Sequence, residues 1–352
     1  MNLISCSFSS GRISDIFPLL RRCLPATLIL LLILLSAQAI AQITPTEPDS
    51  FSHSFHDTYI ALGLRKYFNS FTSFQFPDPV NTRLDPTSRL EWPWEQTYGV
   101  IQTGVSYKNV QVNLEGASTL FTYSGLPAQD SDWLFPHNPG QKTDFSEAEA
   151  KPRGWTIDAN VGFDIPLSNG IKCILGYRAQ QFSFTYTDMN QVSISEPESS
   201  GFFPGETIQF TQNYKHYYGG GAISSIFDLG TVYPRASGTD LFVRLLGDVG
   251  YVIGDNVDFH ILRIPAPRYT YENTSGYSWR INLAIDLKIN SRFHAGLAGE
   301  FMRIRTSGSH RLTQAEGFNE QGQWENALDW TWDGAKVWSD QKFIEINASL
   351  YF

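Results

Sequence analysis

The chain has 352 residues, 42% hydrophobic and 14% aromatic, with 26 basic against 35 acidic residues and a formal charge of −9. Such a balance argues against a nucleic-acid partner, which needs a basic face. Of three cysteines, Cys6 and Cys23 precede the expected mature chain, so Cys173 is its sole thiol and no internal disulfide can form there.

At the N-terminus, Arg21 and Arg22 precede an apolar run through Leu35, followed by the small-x-small pattern Ala39-Ile40-Ala41. This reads as a signal peptide over residues 1–41, with cleavage before Gln42. Residues 42–352 then keep 23 basic and 34 acidic residues, because Arg12, Arg21, Arg22 and Asp15 leave with the leader. Nothing in 42–352 has the apolar length of a membrane helix, so only a closed β-barrel could cross a bilayer.

A first strand is expected near Tyr59 to Tyr67. Gly99, Ile101, Thr103, Val105 and Tyr107 then oppose Gln102, Gly104, Ser106 and Lys108, and after a turn at Lys108-Asn109 the residues Val110, Val112 and Leu114 oppose Gln111, Asn113 and Glu115. That alternation is a hairpin with one apolar face. A second hairpin runs from Trp155 through Ile165, turns at Pro166–Gly170, and returns through Ile171, Cys173, Leu175 and Tyr177, placing Cys173 on the lipid face. A pair follows near Phe210 to Phe227 and Asp240 to His260, then a hairpin from Trp279 to Phe301 turning at Asn290-Ser291. The chain ends on a strand in which Ile344, Ile346, Ala348, Leu350 and Phe352 alternate with Glu345, Asn347, Ser349 and Tyr351. Charges on the opposite face of so many strands mark a polar lumen, and the even count of ten predicts an all-β, ten-stranded antiparallel transmembrane β-barrel.

Short connections alternate with long ones at Phe68–Arg89, Leu120–Arg153, Asp188–Thr207, Ile261–Gly276 and Thr306–Asp340. The bilayer uses only about 9–11 residues per strand, so the wall should extend above the outer membrane. Barrels of this kind keep short turns in the periplasm, which puts all five long connections on the exterior rim. Two acidic pairs stand there: Asp130-Ser131-Asp132-Trp133 in the second long connection, and Asp258-Phe259-His260 at the end of the seventh strand. Extended residues two apart point the same way, so each pair can aim both side chains into the barrel mouth. A histidine braced by a carboxylate can act as general base near neutral pH, and two facing carboxylates can hold a water and share a proton. Alone, either motif is common in acidic loops. Their meeting on one rim is what points to hydrolysis.

At these residues the chain resembles the omptin family of outer-membrane endopeptidases. Asp130, Asp132 and Trp133 match the family's Asp-x-Asp-Trp, and Asp258 and His260 its Asp-x-His. Asn138-Pro139-Gly140 and Thr143-Asp144-Phe145-Ser146 look like the segments that follow the first couple, with Asp144 and Ser146 as supporting site residues. Ser88-Arg89-Leu90-Glu91-Trp92, Gly176-Tyr177 and Phe182-Ser183-Phe184 agree as well. The resemblance implies catalysis by Asp130, Asp132, Asp258 and His260. His260 is then the base oriented by Asp258, and the Asp130–Asp132 couple holds the attacking water. It implies no covalent intermediate, metal or cofactor, although lipopolysaccharide can be required as an activator.

The implied partners are a peptide or protein substrate and outer-membrane lipid, at a bacterial outer membrane with the active face extracellular. Two departures stand out. Asn256 occupies a position that is acidic in family members cutting between basic residues, and residues 69–72 offer no carboxylate. Gln181 and Asn213 stand where the family's lipopolysaccharide site is basic, leaving Tyr177 and Lys215 as lipid-binding candidates. The alternative is a catalytically inactive barrel of the same descent, serving as an adhesin or surface-structural protein. His216 with Tyr214, Tyr217 and Tyr218 reads as an interface girdle, Trp92 and Trp94 as wall or rim aromatics, and His137 and His310 as solvated loop residues.

Overall fold

A strand can cross lipid only if every backbone N–H and C=O finds a partner, and a sheet achieves this by closing on itself. The computed structural model describes residues 56–81, 83–121, 126–165, 170–229, 239–319 and 321–352. The expected signal peptide lies outside the described residues. The strands are β1 (His56–Tyr67), β2 (Phe71–Phe76), β3 (Ser88–Pro93), β4 (Thr97–Tyr107), β5 (Val110–Phe121), β6 (Leu126–Asp132), β7 (Asp144–Ala150), β8 (Arg153–Asp164) and β9 (Ile171–Ser193). They continue with β10 (Gly201–Asp228), β11 (Asp240–His260), β12 (Arg268–Lys288), β13 (Phe293–Gln314), β14 (Gly317–Phe318), β15 (Trp324–Glu325) and β16 (Leu328–Tyr351).

The order β1-β4-β5-β8-β9-β10-β11-β12-β13-β16 closes through β1 against β16, with Tyr59 opposite Tyr351 and Tyr67 opposite Phe343. This is the ten-stranded antiparallel barrel expected from the alternation. Above it, β2, β3, β6 and β7 stand on β1, β4, β5 and β8 and bridge β16 to β9, so the upper wall again has ten neighbours. Each of the first four staves is thus two strands in series. The joint after β3 follows from Pro93, which cannot donate a ladder hydrogen bond. Trp94 N–H donates instead to Ser70 O at 2.7 Å, and Tyr67 N–H to Gln96 O at 2.8 Å, which carries the ladder across the break.

Much of what alternation assigned to long connections is wall. β9 continues to Ser193, β12 begins at Arg268, β13 reaches Gln314 and β16 starts at Leu328. Strands of 21 to 28 residues, as in β9 to β13, run about 70–90 Å at 3.3 Å per residue. That far exceeds the bilayer.

The outer face carries the lipid belt. Leu62, Leu64, Leu175, Ile223, Val249, Ile281, Leu297, Ile344 and Ile346 are exposed, as is Cys173. Tyr177, Tyr217, Tyr251 and Tyr277 are register neighbours along β9, β10, β11 and β12 and form one edge of that belt. His216 is no part of this girdle. It is buried, with Nδ1 3.3 Å from Ser278 Oγ and Nε2 3.2 Å from Gln180 Oε1, and Tyr214 and Tyr218 are buried with it. Strand parity sends only Tyr217 outward.

Inside, two regions stack. In the lower lumen Arg178 and Arg280 share Asp158 at 2.7 and 3.4 Å, while Arg280 also holds Asp248 at 2.6 Å. Arg65 holds Glu345 at 2.6 Å and Glu115 at 2.8 Å. Above them sits an aromatic plug. Trp92 stacks on Phe210 with centroids 3.9 Å apart, Phe74 lies 5.5 Å from both, and Trp94 packs edge-on against Phe182. Trp92 and Trp94 are therefore core residues rather than wall or rim aromatics, because they share the inward parity of Leu90 and Tyr98. A plug of rings above a charge-filled lumen leaves the fold without the open bore of a porin.

Candidate active site

Leu90 and Phe76, packed with the plug, line a cavity of about 300 Å³ at the rim opposite the short turns. Four expected catalytic residues, Asp130, Asp132, Asp258 and His260, line it together with Asp144 and Ser146. The first couple is strand rather than loop. Asp130 and Asp132 end β6, in register with Leu90 and Ser88 of β3 on one side and with Ser146 and Asp144 of β7 on the other. Thr143 fixes this corner: its N–H donates to Asp132 O at 2.8 Å, its hydroxyl to the same oxygen at 3.1 Å, and its Oγ1 accepts from Leu134 N–H at 3.2 Å. Asp144 accepts from the Ser195 hydroxyl at 2.8 and 3.0 Å, which ties β7 to the segment after β9.

Across the cavity, Asp258 and His260 follow Asn256 on the inward face of β11. His260 Nε2 lies 2.6 Å from Asp258 Oδ2, and Asp258 is 1% exposed whereas His260 keeps 15% of its side chain accessible. The carboxylate can therefore brace one ring nitrogen while the ring reaches the cavity. This is the geometry of an oriented base.

Burial, then the nearby charge of Asp132 and then that of Asp258, hold the Asp130 carboxyl well above the usual carboxylate range. Burial also raises Asp132, opposed by the Ser88 hydroxyl and by Arg263. Both shifts favour a shared proton on the couple, the direction expected of two neighbouring buried carboxyls. Such a proton has a stability consequence whose sign is fixed. The folded state binds it more tightly than the unfolded chain, so Asp130 is least costly below the ordinary carboxylate range and destabilises as pH rises through its elevated value. Asp130→Asn is expected to raise the urea midpoint relative to wild type at neutral and alkaline pH. The difference should vanish in acid, and midpoints measured across pH check this.

Some features of the site were missed by sequence reasoning. One layer below the dyad, Gln212, Asn256, Glu272 and His310 are register neighbours. Both side-chain polar atoms of Asn256 are buried without a hydrogen-bond partner among the described residues. His310 is not solvated: it is fully buried, with Nδ1 2.7 Å from Glu272 Oε1 and Phe76 stacked 3.9 Å from its ring. β13 runs on past it, so the ring faces inward. Burial raises the Glu272 carboxyl, with His310 opposing. A carboxyl group thus stands beside Asn256, but fully buried against His310. Its signal was the parity shared with inward Thr270 and Thr274. Arg263 and Arg268 also line the cavity and carried no motif.

Tyr177 and Lys215 lie away from this cavity, on the outer face. Tyr177 packs against Tyr217 with centroids 5.3 Å apart, and Lys215 is exposed two residues above the tyrosine edge. Gln181 and Asn213 join Trp155 and Asp255 in a polar ladder just above: Trp155 Nε1 donates to Gln181 at 3.0 Å, Gln181 Nε2 to Asn213 at 2.8 Å, and Asn213 Nδ2 to Asp255 at 2.5 Å.

The omptin family model matches residues 82–229, which hold Asp130, Asp132, Asp144, Ser146, Tyr177 and Lys215 but not Asp258 or His260. Among solved structures, the outer membrane protease OmpT from Escherichia coli superposes with a TM-score of 0.67 at 15% identity, covering 86% of this chain and 100% of that one. The translocator domain of the autotransporter NalP from Neisseria meningitidis gives a TM-score of 0.35 at 7% identity, with 86% and 91% coverage. No curated protein matches by sequence. The omptin resemblance thus holds over residues 82–229, and the barrel fold is shared over 86% of the chain.

Proposed function

We propose that this omptin-like barrel is an outer-membrane endopeptidase that hydrolyses peptide bonds with a water activated by His260. The observation that carries the reading is that Asp130, Asp132, Asp258 and His260, from stretches more than a hundred residues apart, line one cavity. Water held between the couple and the dyad loses a proton to His260 as its oxygen attacks the peptide carbonyl carbon, and Asp258 stabilises the imidazolium that forms. Asp130, kept protonated, donates a hydrogen bond to the developing oxyanion, while Asp132 accepts one from the water. The imidazolium then returns its proton to the leaving amine. Asp144 and Ser146 support the couple from β7.

The alternation of short and long connections supports an active face turned to the exterior, with peptide or protein as substrate. Tyr177 and Lys215 are the proposed contacts to outer-leaflet lipid, lipopolysaccharide included, and a polar ladder in place of basic residues argues that any activation by that lipid is weak. The test is to refold residues 42–352 in detergent, with and without lipopolysaccharide, and profile cleavage of a diverse peptide library. Cleavage lost in both His260→Ala and Asp130→Ala supports the reading. A folded barrel that cleaves nothing would leave the adhesin or surface-structural role in its place.

A further inference from the structure

Besides the four candidate catalytic residues, further charged groups line the cavity. On the β7 and β9 side of the cavity stand Asp144 and Glu196, each already accepting a serine hydroxyl. On the β11 and β12 side stand Arg263 and Arg268. Arg268 is the register neighbour of His260 and shares its inward parity with Thr270 two residues on, so the two side chains leave adjacent strands toward the same cavity.

Arg268 is held in place without being neutralised. Gln314 of β13 spends its amide on Ile264 O at 3.1 Å and Ala266 O at 2.8 Å, which fixes the turn between β11 and β12, and its Oε1 accepts from Arg268 Nη2 at 3.1 Å. Arg268 Nε is buried with no hydrogen-bond partner among the described residues. Arg65, Arg178, Arg280, Arg303, Arg305 and Arg311 each hold a carboxylate within 4 Å. Neither Arg263 nor Arg268 does so among the described residues. Burial and the like charge of Arg263 both weigh against the Arg268 cation, with Glu325 the opposing influence. A preorganised, partly buried fork of donors beside a second cation lacks what such forks bind best, a carboxylate.

We propose that Arg268, assisted by Arg263, is an anion-binding subsite that takes a peptide carboxylate next to the scissile bond. This rests on the endopeptidase reading, and it sets specificity in a direction opposite to that of a pocket built for basic residues. The carboxylate is an acidic side chain or the peptide's own C-terminus, and amidated peptides separate the two.

The experiment compares the refolded chain on matched peptides that differ by Glu for Gln at each position flanking the cleaved bond, with free and amidated C-termini. The expected kcat/KM favours the carboxylate member by roughly tenfold or more, carried mainly in KM and shrinking as salt is raised. Arg268→Gln should bring the ratio close to one, and Arg268→Glu should turn it toward a Lys-containing peptide. A wild-type ratio of one or less, or a ratio that Arg268→Gln leaves unchanged, overturns the proposal. Anisotropy of fluorescein-labelled Glu and Gln peptides on His260→Ala separates the two ideas. Discrimination that depends on Arg268, when the wild-type barrel cleaves no peptide, keeps the subsite and discards the peptidase. Equal binding of both peptides discards the subsite.

Discussion

Replacing His260 with alanine is expected to lower kcat/KM for peptide cleavage by about 10²–10⁴-fold, the range that a positioned general base supplies. Asp258→Asn should cost a comparable factor by a different route. It leaves a side chain of the same shape 2.6 Å from Nε2 but removes the charge that favours the imidazolium. Because the two act as one device, the double substitution should be little worse than His260→Ala alone. Steady-state kinetics on one peptide with all three variants checks this. Fully multiplicative losses would mean that the two residues work independently, against the 2.6 Å contact. His260 is partly accessible at the rim, so its loss should leave the barrel folded, and gel migration before and after boiling verifies that.

The barrel was legible because lipid imposes a binary code. From Trp279 to Lys288, from Phe293 to Phe301 and from Ile344 to Leu350, each second side chain meets either hydrocarbon or a charged lumen, and all three stretches are strands as expected. Above the membrane the code lapses. Water and lumen are both polar, so Ser307, Ser309 and Thr313 alternate with Thr306, His310 and Gln314 without any apolar contrast, although the hydrogen-bond ladder continues through all of them. Those stretches read as loops for that reason. The same lapse hid the plug: Trp92 and Trp94 carry a girdle composition, and only their parity with Leu90 shows that they face inward. The four candidate catalytic residues were legible as motif pairs. Arg268 was not, since its meaning lies in a neighbour eight positions back along the chain and across a turn.

The strength of the lumen network gives the second large effect. Asp158 is the acid common to Arg178 and Arg280, contacting them at 2.7 and 3.4 Å, and its other oxygen accepts from the Tyr218 hydroxyl. All four side chains are buried, so the charges that remain after a partner is lost stay largely desolvated. Asp158→Leu leaves two guanidiniums on the remaining acids Glu300 and Asp248. Breaking a buried pair from one side costs about 3–5 kcal/mol, because the surviving charge stays desolvated. The urea midpoint of the refolded barrel should fall accordingly. Asp158→Leu combined with Arg178→Met should recover part of that loss, since it removes one of the stranded cations along with the acid. If the double variant were instead less stable by the full sum of the two single effects, the network would be a set of separate contacts. In that case the lumen would owe its stability to packing rather than to the sharing of Asp158 between β9 and β12.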